Sequence, residues 1–129
     1  MGGSEGVLRV TFGFIAGMID IGFAIFHAMF WKLLGWPERL EPSGSINAAI
    51  TQTLNAVLIY VFVIYGSVLI GFAMADRLAP NALTAAGAGF WALRAALQPL
   101  QFSMRTKPSI VLMAAFIIAA IVHGLAVEA

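Results

Sequence analysis

The sequence contains no cysteine. That excludes disulfides, thiolate metal sites and a cysteine nucleophile, and it leaves the redox compartment open. Charge is scarce as well. Asp, Glu, Lys and Arg make up 10% of 129 residues, with a net charge of +1. A soluble domain carries about 25%. A nucleic-acid-binding face needs clustered Lys and Arg, so no nucleic-acid partner is expected. The chain also lacks a Gly-rich phosphate loop, a Ser-His-Asp set and paired carboxylates for acid–base chemistry. No catalytic residue, metal ligand set or cofactor is therefore assigned from the sequence. The start, MGGSEGVLRV, has no basic region ahead of its apolar run. That run exceeds the roughly 7–15 residues of a signal-peptide core and lacks a small-residue exit. The first segment thus reads as a retained transmembrane helix. Glu5-Gly6 does not complete the Ser/Thr pattern of a myristoylation start.

What the chain has in excess is apolar surface: 61% of its residues are hydrophobic, and the mean hydropathy is +0.95. There is too little polar surface to cover a water-soluble globule. Residues 1–8 read as a glycine-rich, frayed lead-in. Four apolar segments follow, at about Arg9–Leu34, Ile46–Ala75, Ala82–Phe102 and Ser109–Val127. A bilayer crossing needs about 20 residues, which each supplies. The second has no charge at all. The third carries Arg94, Gln98, Pro99 and Gln101 and is the least apolar. Trp31, Lys32 and Trp36 mark the end of the first span, where aromatic rings and a snorkelling ammonium belong. The connections are short, so neighbouring helices run antiparallel. The expected fold is an all-α membrane protein, a four-helix transmembrane bundle with up-down-up-down topology and a single domain over residues 1–129. Loops one and three hold Lys32, Arg39, Arg105 and Lys107, against Arg9 and Arg77 on the other side. The excess of cationic residues puts those loops in the cytoplasm and both termini outside.

Polar residues inside the spans fall into stripes. In the first segment Gly13, Gly17, Asp20, Ala24, His27 and Trp31 recur every three or four residues, which is one helix face. Gly13 and Gly17 form a GxxxG pair that lets helix backbones approach closely. Thr84, Gly87, Trp91, Arg94, Gln98 and Gln101 form a second stripe, and Ala48, Gln52 and Asn55 begin a third. At about 1.5 Å per residue, Asp20 lies roughly 16 Å and Arg94 roughly 18 Å from the side holding the termini. Asn55 and Gln98 fall about 24–26 Å in, and His27 about 27 Å in. The matching depths predict an Asp20–Arg94 ion pair beside a polar layer of His27, Gln52, Asn55 and Gln98. A charge at the bilayer centre costs at least about 2.5–3.5 kcal/mol, which an opposite charge and amides offset. Pro99 withholds a donor from the Ala95 carbonyl and can kink the helix to aim Gln98 inward. His123, about 6 Å in on the same scale, reads as an interfacial residue and cannot share one iron with His27.

Each of these groups has a structural and a functional reading. Asp20 and Arg94 fix helix register or relay protons. His27 is a hydrogen-bonded core histidine, a proton shuttle, or a metal or haem ligand. Gln52 and Asn55 glue helices together or line a site. FHAMFWKLLGWP (Phe26–Pro37), NAAITQTLN (Asn47–Asn55) and FWALRAALQ (Phe90–Gln98) together resemble a group of small four-helix bacterial membrane proteins with no assigned activity. The resemblance implies a bacterial inner-membrane setting and carries over no catalytic residue. The preferred reading is a non-enzymatic accessory or structural membrane component. Its partners would be the lipid bilayer and either further copies of itself or other membrane proteins. The alternatives are a proton- or small-solute-conducting protein using Asp20, His27 and Arg94, and a lipid-, quinone- or haem-binding membrane subunit.

Overall fold

Helices account for the secondary structure, and no strand occurs among the described residues, 3–128 of a computed structural model. The order is α1 (Gly3–Ala28), α2 (Phe30–Leu33), a 3-10 helix (Glu38–Ser43), α3 (Ser45–Met74), α4 (Asn81–Gln101) and α5 (Lys107–Leu125). Among the described residues, three helices are long and apolar enough to cross a membrane: α1, α3 and α5. They mark the chain as a membrane protein. The fourth expected span, α4, is outside this set, because Arg94, Gln98 and Gln101 dilute its hydropathy. Large apolar side chains face outward along all the long helices, with Tyr60, Met74, Leu100 and Val111 each about two-thirds exposed or more. Such a surface suits hydrocarbon rather than water.

The residues fall into two compact units, Gly17–Val68 and the combination of Met1–Ala16 with Leu69–Ala129, so α1 and α3 contribute to both. In the second of these, the glycine-rich start is helical from Gly3 rather than a frayed lead-in. Glu5 and Arg9 explain part of this. They pair at 2.9 Å one turn apart, with the carboxylate in the first turn where the helix dipole favours it. Arg9 also donates to the Val127 carbonyl. The far end of α3 closes in a Schellman motif. Arg77 N–H bonds to the Phe72 carbonyl and Asp76 N–H to that of Ala73. Asp76 takes the left-handed position with φ 54°, which short polar side chains tolerate.

Within the same unit α4 and α5 form an antiparallel hairpin. Asn81, the first residue of α4, exchanges two hydrogen bonds with the Glu128 backbone, at 2.8 and 2.9 Å. At the other end Gln98 reaches Ser109. Between them the Trp91 ring stacks on Phe116, with centroids 5.8 Å apart and planes inclined 16°. Thr106 caps α5 by accepting from Ser109 N–H, and Pro108 follows where no intrahelical donor is needed.

In the Gly17–Val68 unit, α1 and α3 approach backbone to backbone. A methyl group built on Gly66 would lie 2.8 Å from the Gly17 carbonyl oxygen. Of the expected GxxxG pair, therefore, Gly17 makes the close approach. Gly13 has open space where a side chain would stand. The first span also ends earlier than Leu34. α1 stops at Ala28, Met29 forms a turn, and α2 follows as a single short turn.

Candidate functional site

The Gly17–Val68 unit gathers the polar residues around His27. The break after Ala28 leaves the last carbonyls of α1 without intrahelical partners. Asn55, buried on α3, fills one of these places. Its Nδ2 donates to the His27 carbonyl at 2.9 Å. Its Oδ1 lies 2.8 Å from His27 Nδ1. An amide oxygen only accepts, so Nδ1 is the protonated nitrogen in this contact. One asparagine thus fixes the tautomer, the ring plane and the helix end together. One turn earlier on α3, Gln52 Oε1 accepts from Trp31 Nε1 at 3.0 Å. Its Nε2 donates back to the Ala48 carbonyl at 3.1 Å. Aromatic rings enclose the imidazole. Phe30 lies 4.4 Å, Phe62 5.4 Å and Phe26 5.9 Å from it, centroid to centroid. Asp20, 1% exposed, lies in this unit two turns nearer the N-terminus on the same stripe.

Arg94 and Gln98 belong to the other unit. The guanidinium carbon of Arg94 lies over the Phe116 ring, 4.2 Å from its centroid, and 5.4 Å from that of Phe102. Gln98, 1% exposed, donates from Nε2 to Ser109 Oγ at 2.8 Å, and Ser109 Oγ lies 3.4 Å from Met104 Sδ. The residues of the expected polar layer belong to both units. His27, Gln52 and Asn55 come together, joined by Trp31. Gln98 has its own partner in Ser109, and Arg94 rests on ring faces. Asp20 lies in the Gly17–Val68 unit and Arg94 in the other.

His123, in the last turn of α5, is fully buried in protein, with Nδ1 2.6 Å from the Ala119 carbonyl and its ring 6.4 Å from Trp91, a packing role that sequence reasoning did not assign to it. The available signal was its spacing. Ser109, Phe116, Ala119 and His123 follow one another at seven, three and four residues, and all four are buried. Within the same unit a groove of about 360 Å³ opens beside Gly6, Val10, Asp76, Arg77 and Glu128. Its charges are of both signs, which favours no one class of ligand. Among the described residues, no group of three or more His, Asp or Glu could hold a metal ion. No protein-family model, curated protein or solved structure matches the chain.

Proposed function

We propose that this is a small multi-pass membrane protein with a structural, non-enzymatic role, an accessory component of a bacterial inner membrane. The observation that carries this reading is the mutual pairing of the polar groups around His27. Asn55 offers one donor and one acceptor to His27 and both are used. Gln52 joins Trp31 to its own helix in the same manner. Groups committed to each other in this way hold helices in register and leave little for turnover or conduction.

The four-crossing architecture belongs to this proposal. α4 has 21 residues and so is about 31 Å long, close to the roughly 30 Å of hydrocarbon. It is pinned to α5 near both ends, by Asn81 and by Gln98. If α5 crosses the bilayer, a helix fastened along it crosses too. Its buried residues, Thr84, Gly87, Trp91, Ala95 and Gln98, lie on one face. Phe90, Leu93, Leu97 and Leu100 lie outside. Loops one and three would then be cytoplasmic, with both termini on the opposite side.

The test is a paired measurement on protein purified in detergent and reconstituted in liposomes. His27→Ala and Asn55→Leu should lower the melting temperature, while proton flux under an imposed pH gradient stays at the protein-free background for every form. Flux above background that Asp20→Asn or His27→Ala abolishes without unfolding would replace the structural role with a conducting one.

A further inference from the structure

The segment from Arg77 to Val127 contains no Asp or Glu, while it holds Arg77, Arg94, Arg105 and Lys107. Three of these four cations belong to the α4–α5 hairpin near its turn. Arg105 and Lys107 are exposed in the turn and at the first residue of α5. Arg94 sits seven residues before the end of α4, about 10 Å below the turn along the helix axis. At 100° per residue it stands on the border between two faces of α4. The buried face carries Trp91 and Gln98, and the outer face carries Phe90, Leu93, Leu97 and Leu100.

The geometry around Arg94 is one-sided. The guanidinium carbon lies over the Phe116 ring at 4.2 Å and over the Phe102 ring at 5.4 Å. The guanidinium carries five N–H donors in its plane, and ring faces offer them no oxygen acceptor. Among the described residues, no carboxylate, carbonyl or hydroxyl accepts from them. One turn nearer the loop, Gln98 Oε1 is buried with no donor. A guanidinium held this way in a low-dielectric layer calls for an anion with paired oxygens. Lipid phosphates lie at the level of the turn, and the long Arg94 side chain, which approaches Phe102 just beyond the end of α4, reaches toward them.

We propose that the α4–α5 turn binds the headgroup of an anionic phospholipid. Arg94 is the inner phosphate ligand, Arg105 and Lys107 are the outer ones, and the acyl chains lie along Phe90, Leu93, Leu97 and Leu100. The guanidinium forks onto two phosphate oxygens while its carbon stays over the Phe116 ring. The inference rests on α4 crossing the bilayer, and not on the accessory role. Thiol labelling of Leu93→Cys and Leu97→Cys checks that crossing separately, so the two failures are distinguishable.

The experiment uses the full chain in detergent, titrated with phosphatidylglycerol and with phosphatidylcholine of the same acyl chains. Bound lipid is read by native mass spectrometry and stabilisation by melting temperature. Phosphatidylglycerol should bind saturably and at least tenfold tighter than phosphatidylcholine. Arg105→Gln with Lys107→Gln, both at exposed positions, should weaken it by about fivefold per charge removed. Arg94→Gln should remove the preference for the anionic lipid, and Arg94→Lys should restore part of it. Equal binding of the two lipids would overturn the proposal, as would unchanged phosphatidylglycerol affinity in the Arg105/Lys107 double variant. Displacement of the lipid by millimolar inorganic phosphate would reassign the site to a soluble anion. A dimer that forms in place of the lipid complex would reassign it to a second copy of the chain.

Discussion

Consider Gly66→Ala on α3. A methyl group at this position lies 2.8 Å from the Gly17 carbonyl oxygen and 3.0 and 3.1 Å from Cγ1 and Cδ1 of Ile21. The isoleucine can change rotamer. The carbonyl belongs to the α1 backbone and moves only if the helix moves. Forcing extra volume into a contact of this kind costs about 1–3 kcal/mol. Alanine also gains about 1 kcal/mol over glycine in a helix interior, which partly hides the loss. Gly71 on the same helix provides the control, since a methyl group there meets nothing within 4 Å. Gly71→Ala takes the propensity gain without the clash. The difference between the two variants therefore isolates the steric cost of about 1–3 kcal/mol. In thermal unfolding followed by circular dichroism in detergent, Gly66→Ala should melt on the order of 5 °C or more below Gly71→Ala. If Gly66→Ala melts at or above Gly71→Ala, α1 and α3 do not meet through Gly17 and Gly66, and the reasoning about this contact is wrong.

Three further outcomes follow from the polar and aromatic contacts. Asn55→Leu keeps the volume and removes both bonds to His27, so it should destabilise by about 1–2 kcal/mol in detergent; Asn55→Asp, which cannot donate to the His27 carbonyl, should not restore the loss. Trp91→Ala deletes the ring stacked on Phe116 and should cost about 3–5 kcal/mol, measured by the midpoint of unfolding in denaturing detergent. Thr106→Ala removes the cap of α5 and should cost about 1 kcal/mol, read by amide exchange of Ser109 and Ile110 speeding up while α3 is unchanged.

Much of the helical layout is written in composition and periodicity. A chain this apolar folds into helices because hydrocarbon offers no partner for backbone N–H and C=O groups. The stripe Gly17, Asp20 and Ala24 is buried as its spacing requires, with His27 and Trp31 half-buried beyond it. The stripe on α4 is buried at Thr84, Gly87, Trp91 and Gln98, whereas Arg94 lies at its edge and Gln101 is exposed. Helix spacing reports which residues share a face, within about one residue of the border.

Spacing does not report which face meets which, and the candidate site depended on that. Asn55 reaches both His27 Nδ1 and the His27 carbonyl because α1 ends at Ala28, a boundary that the apolar run through Leu34 conceals. Gln98 bonds Ser109 because the turn between α4 and α5 is short. The Arg94 guanidinium settles on Phe116 because a residue 22 positions later in the chain arrives there with it. The sequence by itself determined that these side chains are withdrawn from water, since hydropathy and period are local properties. Only tertiary structure chose their partners, because hydrogen bonds and ring contacts act over a few ångströms between segments whose azimuths no local pattern sets.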